Sequence, residues 1–338
     1  MRNGSSTTSP RRAAPIAARL PPTSFFLTSA VFHYLGPSLA VLLFVHVDAL
    51  GVAWLRIASA AAVFAAWRRP WRVWTSADRE QRLVFVALGT VLAAMNSLFY
   101  LAVNRLPLST VGAIEFLGTV VLAAAGARTP RNLLALALAI GGVAVLTDVR
   151  LSGQPWGFVF AFANCLGFML YVVLGHRIAN TGTAGERTDH RASPMSGIDQ
   201  LGLSMIIAAA VATPVGVAQA APAFVHPLWL LWGVGVGLCS SVIPYVTDQL
   251  AMARLKRSTF ALMLAILPAA ATVIGFVVLA QAPTVQDLTG IALVIGGVAL
   301  HRERDGRADS PTCSAGERCS GSSGSRRRSS AGRPGWSP

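Results

Sequence analysis

Two ionisable side chains stand where an apolar run gives no obvious reason for them. Glu115 lies within Val111-Gly-Ala-Ile-Glu-Phe-Leu-Gly118, and Arg56 ends Gly51-Val-Ala-Trp-Leu-Arg56. A charge at the centre of a membrane helix costs about 2.5–3.5 kcal/mol on insertion scales, so each needs a role. Glu115 reads as a carboxylate that exchanges a proton for an amine, or as a glutamate that locks helices, neutral or paired with Arg. Arg56 reads as the partner of a substrate carboxylate, or as a permanent ion pair or a snorkelling side chain.

Further polar groups fall at similar depth. Asn96 and Asn164 either line a cavity or hydrogen-bond between helices, a contact worth about 0.6 kcal/mol. Tyr100, one turn from Asn96, faces the same cavity or sits in an interfacial aromatic belt. Asp248 is a gate at the inner end of its helix or a solvated helix end. Pro244 and Pro268 break or kink their helices, serving as hinges or as packing features.

Enzyme chemistry has little to stand on. Ser204 in Gly202-Leu-Ser204 is followed by no Ser-Gly. There is no His-Glu-x-x-His pair. Cys165 and Cys239 lie in apolar runs, and Cys313 and Cys319 in a polar tail, which makes neither a metal site nor a disulfide framework. The chain reads as a non-enzyme needing no cofactor and no metal.

The elements that hold these residues follow from charge spacing. The 338 residues are 54% hydrophobic and 12% charged, too few charges to cover a soluble surface. Residues 20–47, 83–104, 151–176, 200–247 and 258–286 carry no Asp, Glu, Lys or Arg. A spanning helix needs about 20 apolar residues. Ten spans are expected, near 25–45, 49–67, 83–103, 107–126, 131–148, 155–175, 198–218, 227–249, 257–280 and 284–301. At ~1.5 Å rise per residue, Arg56 and Glu115 then lie roughly 10–13 Å below the outer surface.

The charges also orient the bundle. With the N-terminus inside, the cytoplasmic segments before the C-terminal tail hold 17 Lys/Arg, and the outer loops hold only Arg105 and Arg150. Both termini are expected in the cytoplasm. The formal net charge of +14 comes largely from the tails: four Arg without acids in 1–24, and eight Arg against four acids in 302–338. Both tails read as disordered, and neither resembles a nucleic-acid reader.

The chain repeats itself. Arg105-Leu106 with Ser109-Thr110 matches Arg254-Leu255 with Ser258-Thr259, and Ile140-Gly-Gly-Val-Ala144 matches Ile295-Gly-Gly-Val-Ala299. Five helices per half place the halves in opposite orientation, a construction associated with alternating-access carriers. The expected fold is an all-α polytopic membrane protein with ten transmembrane helices as two inverted five-helix repeats. The repeats cover 25–148 and 149–301, with a linker near 179–197. The glycine pairs are expected to allow close helix contact.

These segments, with Pro70-Trp-Arg72, Met95-Asn-Ser-Leu-Phe-Tyr-Leu101, Gly175-His-Arg177 and Ile243-Pro-Tyr245, resemble the EamA family of the drug/metabolite transporter superfamily. Within it they resemble the bacterial threonine/homoserine exporter branch. The resemblance covers about residues 25–301 and implies export of small metabolites, driven by proton exchange. Two carboxylates usual in the family are replaced, by Leu267 before Pro268 and by Gln281 after Ala280.

The expected function is a secondary transporter in the bacterial inner membrane that exports threonine, homoserine or related small amino acids by proton antiport. The expected partners are a small-molecule substrate, the lipid bilayer and protons, with a homodimer as an open arrangement. An exporter of lipophilic drugs or other metabolites is the alternative, because fewer carboxylates suit apolar cargo. An intramembrane enzyme is the remote one.

Overall fold

The computed structural model describes residues 22–126, 129–148, 154–181, 194–252 and 267–300. Every regular element among the described residues is helical. The helices are α1 (Pro22–Leu43), α2 (Ala49–Arg68), α3 (Trp71–Ser76), α4 (Arg79–Val103), α5 (Leu108–Gly126), α6 (Pro130–Asp148) and α7 (Pro155–Thr181). There follow α8 (Pro194–Gln219), α9 (Ala221–Val225), α10 (Pro227–Gly237), a π-helical turn (Leu238–Val242), α11 (Ile243–Met252), α12 (Leu267–Leu279) and α13 (Val285–Leu300).

Local chemistry explains where they begin. Proline opens α1, α6, α7, α8 and α10, where its fixed φ suits the first turn and its missing N–H costs nothing. Asp78 and Gln81 form a reciprocal capping box on α4: Gln81 N donates to Asp78 Oδ1 (2.8 Å), and Asp78 N donates to Gln81 Oε1 (3.2 Å). Thr284 and Asp287 do the same for α13, with Asp287 N donating to Thr284 Oγ1 (3.1 Å).

Five stretches are long and apolar enough to cross a membrane: Ala49–Arg68, Arg79–Val103, Pro155–Gly175, Ile198–Gln219 and Pro227–Asp248. Five shorter apolar helical stretches accompany them: Leu27–Leu43, Leu108–Leu122, Pro130–Leu146, Leu267–Leu279 and Val285–Leu300. Each overlaps one of the expected spans. The eighth is not a plain helix, because the π turn interrupts it. The short helices α3 and α9 were not expected.

Helices enter both edges of the stretch 179–197 expected as a linker. Helix α7 runs to Thr181 and α8 starts at Pro194, a proline that opens the next helix early. Residues 182–193, the repeat motif from Arg254 to Thr259, and the greater part of both tails lie outside the described residues.

Side-chain size is arranged for lipid. Much of the buried core is alanine, including Ala40, Ala53, Ala113 and Ala139, while Leu166, Val211, Leu231 and Val277 point outward. Lipid tails match leucine in polarity, so helices in a bilayer associate through close packing of small residues. The α6–α13 contact shows it. A Cβ on Gly142 would lie 2.5 Å from Gly290 O, and one on Gly297 would lie 2.6 Å from Ala135 O. Gly141 and Gly296 have nothing within 4 Å, so one glycine of each pair serves the contact.

Helix partners come in matched sets. Helix α4 packs on α7 and α8, and the α10–α11 unit packs on α1 and α2. Helix α5 packs on α7, and α12 packs on α1. The pairs α2–α8, α5–α12 and α6–α13 also pack together. A bidentate ion pair fastens α2 to α8, with Arg68 Nε 2.7 Å from Asp199 Oδ1 and Arg68 Nη2 3.0 Å from Oδ2.

Candidate functional site

Arg56 is buried at 6% exposure, and neutral groups hold it. Its Nε donates to Ser241 Oγ (2.9 Å), and its Nη2 donates to the Ser240 carbonyl (3.1 Å). Pro244 explains why that carbonyl is available. In a regular helix Ser240 O would accept from the N–H of residue 244, which proline lacks. The π turn lies just before this proline, and Arg56 donates to the Ser240 carbonyl there. The guanidinium carbon also stands 5.5 Å from the centroid of the Tyr100 ring, within cation–π range.

Glu115, on α5, is also buried. Its Oε1 accepts from Asn164 Nδ2 of α7 at 3.4 Å, and its Oε2 has no hydrogen-bond partner. Arg56 and Glu115 are close enough to interact electrostatically. They are not joined as an ion pair, since Arg68–Asp199 is the only salt bridge among the described residues.

The other expected site residues divide. Asn164 makes the interhelical bond to Glu115, while its Oδ1 has no partner. Asn96 donates to Leu92 O of its own helix (2.7 Å), so it joins neither Glu115 nor Arg56 by a hydrogen bond. Tyr100 is fully buried, which places it inside the bundle rather than in an interfacial belt. Asp248 is half-buried with Ser29 of α1 beside it, and Ser29 Oγ donates to Pro244 O at 3.4 Å. Pro268 is buried near the start of α12, and the helix upstream of it lies outside the described residues.

Sequence reasoning missed Ser240, Ser241, Tyr34 and Tyr245. Tyr34 is fully buried and its hydroxyl has no hydrogen-bond partner; the same holds for Tyr100. Tyr245 lies within electrostatic reach of Arg56, Glu115, Tyr100 and Asp248. The available signal was simple: the chain has only four tyrosines, and all of them fall inside expected spans. A buried polar group left unsatisfied costs about 1–3 kcal/mol. Unpartnered buried oxygens on Tyr34, Tyr100, Glu115 and Asn164 are therefore polar capacity that the described residues leave unused. Among the described residues no group of three His, Cys, Asp or Glu could hold a metal ion.

The two replaced carboxylates have structural roles. Leu267 is packed into the same apolar core as Tyr34 and Ile114. Gln281 Oε1 accepts from Leu108 N (3.2 Å) and so caps α5, the helix that carries Glu115. Ala280 before it has φ 52°, in the left-handed region that disfavours a Cβ. Ala280→Gly is expected to stabilise the protein by about 0.5–1 kcal/mol. A raised melting temperature in detergent, with efflux unchanged, would bear this out, and a lowered one would contradict it.

No protein-family model matches the chain. The threonine/homoserine exporter RhtA of Escherichia coli K12 is 30% identical over 260 residues, covering 77% of this chain and 84% of that protein. The chain belongs to the RhtA exporter family. RhtA of Salmonella typhimurium LT2 is 31% identical over 259 residues, covering 77% of this chain and 82% of that protein. A solved crystal structure aligns with a TM-score of 0.50 at 20% identity, over 82% of this chain and 96% of its own, and supports the fold alone. Membership makes this member of the RhtA family a multi-pass membrane exporter of a small molecule, and its relatives are transporters rather than enzymes.

Proposed function

We propose that the chain exports threonine, homoserine or related small amino acids, by proton antiport and alternating access. The observation that carries the reading is the uncompensated pair at the site. Arg56 has no carboxylate within salt-bridge distance among the described residues, and Glu115 has one free oxygen. A zwitterionic amino acid supplies both missing partners. Its carboxylate takes the remaining guanidinium donors, and its ammonium takes Glu115 Oε2. When the cargo leaves, a proton replaces the ammonium on Glu115, which couples the two movements.

The matched helix pairings, together with the repeated motifs, support two inverted repeats forming ten spans, with both termini in the cytoplasm. The π turn at Pro244 lies beside Arg56, where a bend in the α10–α11 unit would move Ser240 and Ser241 relative to the guanidinium. Asp248, further along that unit, stands toward the cytoplasmic end as a gate.

Cells loaded with threonine or homoserine test the reading. Efflux should rise on expression and fall when the proton gradient is collapsed. Efflux indifferent to the gradient would remove the antiport. Efflux of lipophilic compounds with none of any amino acid would replace the cargo.

A further inference from the structure

We propose that Tyr34 is a specificity-determining residue of this site, and that its phenol hydroxyl, with that of Tyr100, receives the hydroxyl group of a small hydroxylated amino acid. The inference rests on the amino-acid reading above and adds what selects among amino acids.

Tyr34 stands near the middle of α1 (Pro22–Leu43), away from the helix ends where membrane tyrosines usually collect. It is fully buried, and its hydroxyl has no hydrogen-bond partner. Its position against α5 is fixed by a notch: a Cβ on Gly112 would lie 3.1 Å from the Tyr34 hydroxyl and 3.4 Å from its ring. Gly112 precedes Glu115 by three residues, so both occupy one face of α5. Glu115 is also within electrostatic reach of the Tyr34 hydroxyl.

Tyr100 supplies the second unpartnered hydroxyl from α4, on a ring whose centroid lies 5.5 Å from the Arg56 guanidinium carbon. One phenol thus stands beside the helix of Glu115 and the other beside Arg56. The charged pair matches the groups common to every amino acid and so cannot choose among them. Two unpartnered hydroxyls next to it can. A site built to hydrogen-bond a hydroxyl rejects the analogue that lacks it, because its own buried groups then go unpaired.

The test uses the full chain in proteoliposomes, with homoserine against 2-aminobutyrate and threonine against valine. Wild type is expected to prefer the hydroxylated member of each pair by about tenfold or more. Tyr34→Phe removes one oxygen and should collapse that preference by about tenfold, with hydroxylated cargo losing more than its analogue. Should that variant fail to reach the membrane, Gly112→Ala decides, since its methyl group crowds the same hydroxyl and should lower the same ratio. A preference unchanged in whichever of these variants reaches the membrane would overturn the proposal. So would wild-type export of both members at equal rates, which leaves the amino-acid reading standing. No amino-acid export by wild type would instead sink that reading, and this inference with it.

Discussion

Glu115→Gln is expected to abolish export while the protein still reaches the membrane. The substitution keeps the side chain's shape and an acceptor for Asn164 Nδ2, which now meets Glu115 Oε1 at 3.4 Å. The contact between α5 and α7 should therefore survive. What changes is the free position: Oε2, an unpartnered acceptor, becomes an amide NH₂ where cargo offers an ammonium. A hydrogen bond to a charged group is worth about 1.5–3 kcal/mol. Losing it, and the proton exchange with it, should lower the rate by about 10²-fold or more. Equal amounts of wild-type and variant protein in the membrane fraction, measured beside efflux, separate lost function from lost folding. Wild-type efflux in the variant would remove Glu115 from the mechanism.

Arg56→Lys is expected to lower export by roughly 10–100-fold although the charge is kept. Arginine reaches two neighbours at once, Ser241 Oγ through Nε and Ser240 O through Nη2. Lysine has one compact ammonium and cannot reproduce that fork while presenting donors to a carboxylate. It also loses the guanidinium's cation–π contact with the Tyr100 ring. The KM for amino-acid cargo should rise, because the cation that meets the cargo carboxylate is no longer aimed. A variant with unchanged KM and rate would show that Arg56 only braces the π turn.

Several helices were legible because lipid leaves so few choices. A run of residues without charge must be helical to satisfy its own backbone, so the charge-free intervals 20–47, 83–104 and 151–176 fall on α1, α4 and α7, and 200–247 falls on α8 through α11, while the short helices α3 and α9 were not expected as elements of their own. Position along a helix was legible too, since it follows from residue number. Azimuth was not. Asn96 and Asn164 have the same side chain and were expected at similar depth, yet Asn164 turns to Glu115 and Asn96 bonds back to Leu92. Gly141 and Gly142 are adjacent and alike in sequence, and only Gly142 faces Gly290. Which way a residue points depends on partners far along the chain, and a single sequence does not reveal them.

The Arg56 seat was half legible. Pro244 announced a disturbed helix, but not that a guanidinium on α2 would meet Ser240 O there. Tyr34 was hidden by its surroundings, an apolar first span in which one aromatic looks like any other. Its importance emerges only from Gly112, more than seventy residues later, whose missing side chain makes room for the ring.

Counterflow in proteoliposomes tests the central claim most directly. Vesicles containing purified protein are loaded with unlabelled threonine and diluted into a trace of labelled threonine, with no gradient imposed. Wild type should concentrate the label inside, and Glu115→Gln should not. Wild-type vesicles that never accumulate label with threonine, homoserine or any related amino acid would contradict amino-acid transport through the Arg56–Glu115 site, as would equal counterflow by the variant.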